Sequence, residues 1–114
     1  LGNLDVARDF TDVRLVAHAY CRLLQLVPSG ETFNICSGTS YTLREIIAMV
    51  EELAGYKIEV RVNPAFVRAN EVRILQGDHS KLQSLLKNQT SIPLRETLAW
   101  MLIESEVNQV GVAA

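Results

Sequence analysis

Arg68 and Glu71 stand three residues apart in Arg68-Ala69-Asn70-Glu71-Val72, between an alternating apolar stretch and the turn Gln76-Gly77-Asp78. A guanidinium fork can hold two phosphate oxygens at once, and a carboxylate accepts hydrogen bonds from sugar hydroxyls or a base edge. At this spacing both side chains project to one side if the segment makes a single helical turn. Spacing alone equally allows a weak surface ion pair in a connector. With Arg8 and Asp78 the two complete the one polar constellation of interest, and no catalytic residue stands out beside it. No glycine-rich phosphate loop is present, and no Tyr precedes a Lys in the setting of an activated phenol. His18 and His79 lack a neighbouring nucleophile or acid and read as structural or solvated. Cys21 and Cys36, with no second pair and no nearby His pair, make no metal site. They read as buried free thiols in a reducing, cytoplasmic compartment.

The elements that must position these residues follow from periodicity. Val13, Val16, Ala17, Tyr20, Leu23, Leu24 and Val27 describe one face of a helix over 12–27, started by Thr11 or Asp12 and stopped at Pro28-Ser29-Gly30. Thr32 to Cys36 predicts a short strand ending in the turn cluster Ser37-Gly38-Thr39-Ser40. Thr42 and Glu45 form a capping box for a second helix, with Leu43, Ile46, Ile47, Val50, Leu53 and Ala54 on one face and Gly55 as its stop. Lys57 to Val62 alternates as a half-buried strand, and Pro64 opens a loop or single turn over 63–71. Val72 to Gln76 reads as a short strand. Asp78 caps a short helix with Leu82, Leu85 and Leu86 inward. After a polar loop over 87–91, Pro93 opens a last helix with Leu94, Leu98, Met101 and Leu102 on one face. The strand-helix-strand unit over 32–62 predicts a right-handed parallel crossover. The expected class is α/β, a small and mostly parallel sheet of two to three strands with four helices.

Size and charge set the outer limits. With 114 residues the chain holds one domain, expected over 1–106, with 107–114 a frayed tail. A net charge of -2 argues against a nucleic-acid or membrane-surface binder, and no apolar run approaches the ~20 residues of a membrane span. The start lacks both a basic n-region and an initiator Met, so the chain reads as part of something longer.

Five segments, taken together and in order, resemble one family. Gly2-Asn3-Leu4-Asp5-Val6-Ala7-Arg8-Asp9-Phe10 looks like the G-N-L-D-x-x-R-D-[FW] segment of GDP-mannose 4,6-dehydratases and GDP-6-deoxy-4-keto-mannose reductases, which are extended short-chain dehydrogenases. Phe33 to Gly38 is similar to Y-N-V-C-S-G, Arg68 to Val72 to R-P-x-[ED]-V, Gly77 to Leu82 to G-D-x-S-K-L, and Ile92 to Leu98 to I-P-L-E-E-T-L. The wording of the first segment leans toward the reductase.

The resemblance implies the family's C-terminal, substrate-binding third without its Rossmann half. By that pattern Arg8 and Arg68 contact the GDP diphosphate, and Glu71 holds the ribose hydroxyls. Asp12, Asn34 and Asp78 are structural caps. It also implies a GDP-sugar partner, no cofactor bound by this chain, and NADP in the longer parent. The other lobe, or a second copy, would dock on helix 12–27 around Val16, Tyr20 and Leu24. A non-enzymatic association module built on the same fold is the alternative. Three departures loosen the pattern. Leu15 replaces a usual acid, Ala69 replaces a stiffening proline, and Leu86-Lys87-Asn88-Gln89 replaces a Gly-Trp-x-Pro turn.

Overall fold

A three-residue strand, β1 (Ala7–Asp9), runs through the middle of the molecule. It pairs antiparallel with β2 (Ser40–Thr42), with Arg8 opposite Tyr41 and Asp9 opposite Ser40. On its other edge it pairs parallel with β3 (Ile74–Leu75), with Arg8 opposite Leu75. The structure is a computed structural model and describes residues 1–26, 29–87 and 89–112. Four helices surround the sheet: α1 (Val13–Leu26), α2 (Leu43–Ala54), α3 (Ser80–Leu85) and α4 (Leu94–Val112). The α/β class, the three strands and the four helices are therefore as expected, with the sheet mixed rather than mostly parallel.

The helices form where their local signals stand. α2 begins with a reciprocal capping box: Thr42 Oγ1 accepts the Glu45 amide at 3.1 Å, and Glu45 Oε2 accepts the Thr42 amide at 2.7 Å. It ends at Gly55, whose φ of 78° is the left-handed conformation a side chain would resist. Leu82 of α3 and Leu86 just after it form a core cluster with Ala19, flanked by Leu23, Phe33, Ile35 and Leu85. α4 opens at Pro93, whose carbonyl accepts the Glu96 and Thr97 amides, and runs beyond Val107, the boundary expected for a frayed tail. Ala113 and Ala114, like Val27, Pro28 and Asn88, lie outside the described residues.

Several expectations fail, each because sheet pairing is non-local. Residues 32–36 form no strand, although Phe33 and Ile35 do turn toward the core. Lys57–Val62 forms no strand either. Only its end meets another backbone: the Leu1 ammonium donates to the Arg61 carbonyl at 3.1 Å, and the Asn63 amide donates to the Leu1 carbonyl at 2.8 Å. No parallel crossover over 32–62 exists among the described residues. Of the three strands that do form, β3 lies within the expected Val72–Gln76, while β1 and β2 lie in segments too short to show a period.

Helix α1 also departs from its expected face. Leu15, Val16, Ala19 and Leu23 turn inward, while Val13, Ala17, Tyr20 and Leu24 are exposed, Leu24 by 78%. Cys21 belongs to this outer side and is exposed rather than buried, while Cys36 is half-buried. The molecule is a slab of 47 × 46 × 21 Å with a radius of gyration of 17.3 Å. About 13 Å is usual for this length. Its surface of 8540 Å² likewise exceeds the roughly 6,200 Å² of a self-contained monomer of this mass.

Candidate functional site

Strand alternation sends neighbouring side chains of β1 to opposite faces of the sheet, and the pair Arg8-Asp9 uses both. On one face the Arg8 guanidinium is held at three points. Nη1 donates to the Val72 carbonyl at 2.8 Å and to its neighbour's carbonyl at Ala7 at 2.9 Å, and Nη2 approaches Glu71 Oε1 at 3.5 Å. The parallel pairing of β1 with β3 brings these residues together, because it lays the 71–73 segment beside Ala7, whose amide donates to the Arg73 carbonyl at 2.7 Å. The second oxygen of Glu71, Oε2, is shielded and has no donor among the described residues.

Arg68 lines the same cleft as Arg8 and Glu71 and makes no ion pair or hydrogen bond among the described residues. The cleft is open, about 400 Å³, and is completed by Gly2, Asn3, Val6, Leu43 and Phe66. The structure thus brings together Arg8, Arg68 and Glu71, the three substrate-contact residues read from the sequence. Two guanidinium groups and one carboxylate in one opening suit a ligand that carries both phosphate and hydroxyl groups.

On the opposite face Asp9 gathers donors from three separate loops, which sequence reasoning missed. Its Oδ1 accepts the Ser37 amide at 2.9 Å, the Ser37 hydroxyl at 2.6 Å and the Thr11 hydroxyl at 3.3 Å. Its Oδ2 accepts the Gly38 amide at 2.9 Å and the Gly77 amide at 3.3 Å. Burial pushes this carboxyl up, but the bonds from Ser37, Gly38 and Gly77 together outweigh it and hold it below its ordinary value. The available signal was an acid following Arg8 in a chain with two donor-rich turns, Ser37-Gly38 and Gln76-Gly77.

The other polar residues singled out serve the frame. Asp12 is buried at 3% exposure, and its Oδ1 accepts the Arg14 amide at 2.8 Å at the start of α1. Its Oδ2 accepts Arg14 Nη2 and the Thr97 hydroxyl, each at 2.7 Å, which ties α1 to α4. Arg14, chiefly, holds this carboxyl well below the usual range against the opposing effect of burial. Asp78 Oδ1 accepts the Ser80 amide at 2.9 Å at the entry to α3, one residue before the helix N-cap, His79. Asn34 caps no helix; its Nδ2 donates to the Asp78 carbonyl at 3.2 Å and links the 32–36 segment to that turn.

Elsewhere the chemistry is thin. His18 is exposed, and the His79 ring packs on Gly38, with its Nδ1 shielded and unpaired among the described residues. A second, smaller and more enclosed cleft of about 90 Å³ lies between Thr11, Ser37, His79 and Gln89. Its lining carries no Lys or Arg to meet a phosphate, so the cleft with two guanidinium groups is the stronger candidate. Among the described residues no three His, Cys, Asp or Glu side chains converge as metal ligands, and no helix is long and apolar enough to cross a membrane.

Comparison with known proteins places this geometry in context. Residues 1–101 match the family model described as GDP-mannose 4,6 dehydratase. The chain is 34% identical over 106 residues to the GDP-6-deoxy-D-mannose reductase of Pseudomonas aeruginosa, an alignment that covers 93% of this chain and 35% of the relative. Among solved structures it is similar to a candidate epimerase from Burkholderia cenocepacia, with TM-score 0.88 and 50% identity over 91% of this chain and 34% of that one. It is also similar to RMD from Pseudomonas aeruginosa complexed with NADPH, with TM-score 0.77 and 32% identity over 87% of this chain and 32% of that one. The chain thus spans about a third of the length of these relatives.

Proposed function

We propose a function from one premise: the chain belongs to the GDP-mannose 4,6 dehydratase family. It is the GDP-hexose-binding lobe of a dehydratase or reductase, and it binds and orients the nucleotide sugar without catalysing a reaction by itself. Arg8 and Arg68 take the diphosphate, and Glu71 accepts the ribose hydroxyls. The observation that carries this reading is the state of the three groups. Arg8 is already fixed by the Ala7 and Val72 carbonyls, whereas Arg68 shares its cleft without an ion pair or hydrogen bond among the described residues, and Glu71 lines the cleft with one oxygen, Oε2, shielded and without a donor. A guanidinium has five N–H donors, so Arg8 retains two after its three contacts. Preorganised donors of this kind lose little on binding.

The starts of α1 and α2 do not suit a nicotinamide dinucleotide. Such a group rests its pyrophosphate on the free amides of a helix N-terminus. Here the start of α1 is filled by the Asp12 carboxylate and the start of α2 by that of Glu45, both of which would repel it. NADP, which supplies hydride chemistry at C4 of the hexose, belongs in this reading to another lobe of the parent. That lobe covers the outer side of α1, where Val13, Ala17, Tyr20 and Leu24 are exposed, and accounts for the excess surface. A homo-oligomer through the same face is the alternative, and light scattering distinguishes it from a monomer.

Calorimetric titration of GDP-mannose into the chain tests the reading. Saturable binding is expected, weakened at least tenfold in Arg68→Ala, and UDP-glucose, which shares the diphosphate and ribose, serves as the control for nucleotide class. If wild-type protein shows no heat with any nucleotide, the lobe carries no preformed site and the reading fails.

A further inference from the structure

The cleft holds one aromatic side chain, Phe66, exposed by 64% beside Arg8, Arg68 and Glu71. Its backbone is not free. The 3-10 turn Pro64–Phe66 is capped by Asn63, whose Oδ1 accepts the Ala65 amide at 3.0 Å, and the Phe66 amide donates to the Asn63 carbonyl at 3.0 Å. Asn63 is tied in turn to the Leu1 carbonyl. Gly2 presses on the far side: a Cβ there would lie 2.7 Å from the Phe66 carbonyl oxygen, so only glycine allows this approach. The cation–π contacts among the described residues are Arg14 over Trp100 and Lys81 over Phe33, so no cation caps the Phe66 ring.

We infer that Phe66 is a stacking platform for the heteroaromatic base of the bound nucleotide. The inference rests on the nucleotide-binding reading above and names a contact which that reading leaves out. A fixed backbone reduces the entropy lost when the ring is covered, and a flat apolar face beside two guanidinium groups matches a base joined to a diphosphate. Stacking tolerates any base, so Phe66 supplies affinity, and the choice among nucleotides rests on the polar groups.

The test titrates GDP and inorganic pyrophosphate, which has phosphates and no ring, into wild type, Phe66→Ala, Phe66→Leu, Phe66→Tyr and Arg68→Ala. Circular dichroism confirms that each variant is folded. Phe66→Ala is expected to weaken GDP by about 5- to 150-fold and to leave pyrophosphate unchanged. Phe66→Leu should recover part of the loss and Phe66→Tyr nearly all of it, whereas Arg68→Ala weakens both ligands. Unchanged GDP affinity in Phe66→Ala, or an equal loss for pyrophosphate, overturns stacking while the nucleotide site stands. Wild-type protein that binds neither ligand overturns the site itself and the platform with it.

Discussion

Removing the Asp12 carboxylate should loosen the joint between α1 and α4, and its cost can be worked from the contacts. In Asp12→Ala the first turn of α1 loses its side-chain cap, worth about 1 kcal/mol. The Thr97 hydroxyl, buried at 8% exposure, loses its 2.7 Å partner. It keeps only a 3.5 Å approach to the Pro93 carbonyl. An unsatisfied buried hydroxyl costs about 1–3 kcal/mol. Arg14 is 42% exposed and can turn to water, so it adds little. The sum, about 2–4 kcal/mol, should lower the urea midpoint by about 1–2 M for a chain of this size. Trp100, the single tryptophan, sits over Arg14 on α4 and reports the transition by fluorescence. The pH dependence follows in sign. The folded carboxyl is held below its ordinary value, chiefly by Arg14. The ionised form therefore contributes stability above the unfolded value of about 3.9, and this is lost as pH falls below it. Asp12→Asn should flatten that acid limb, and Thr97→Val should cost only about 1 kcal/mol. An Asp12→Ala midpoint within 0.5 M of wild type would refute this account of the joint.

Other sites give separate outcomes. Thr42→Ala removes the hydroxyl that accepts the Glu45 amide and should cost about 1 kcal/mol. Thr42→Ser should restore it, both by urea denaturation. Asp9→Asn places an amide against the N–H donors of Gly38 or Ser37. It should cost about 2–3 kcal/mol and, because the folded Asp9 carboxyl also lies below its ordinary value, remove a further part of the stability lost below pH 4.

How far the sequence speaks depends on where each signal resides. α2 is legible because everything that forms it is local: Thr42 and Glu45 at one end, Gly55 at the other, and an apolar stripe between. The cleft's residues are legible from type and spacing, which single out Arg8, Arg68 and Glu71, and the resemblance adds the roles expected of them. Lys57–Val62 has the alternation of a strand, but a ladder needs a neighbour, and only its last residues meet one, at Leu1. α1 is apolar on two sides, so its period could not decide whether Leu15, Ala19 and Leu23 or Val13, Tyr20 and Leu24 turn inward. Asp9 carries no periodic signal at all. Apart from Thr11, its partners lie 28, 29 and 68 residues away in sequence, and only the closed sheet brings them together.

That closure gives Arg8 and Arg68 different physical standing, and comparing them separates scaffold from site. Arg8 spans the β1–β3 seam through the Val72 carbonyl and Glu71, so its removal both empties the cleft of a cation and frees acceptors at the seam. Arg68 makes no ion pair or hydrogen bond among the described residues and is exposed in the cleft. Arg68→Ala should leave the urea midpoint within 0.3 M of wild type, since surface changes of this kind fall within about 0.5 kcal/mol. Arg8→Ala should lower it, with a cost of about 1–3 kcal/mol. Both should weaken GDP binding at least tenfold. Arg8→Lys sharpens the point, because an ammonium keeps the charge but not the planar fork that serves Ala7, Val72 and Glu71 together. It should recover less affinity than Arg68→Lys. If Arg8→Ala proved as stable as wild type, the three contacts of its guanidinium would not be holding the seam, and Arg8 would be as free a cation as Arg68.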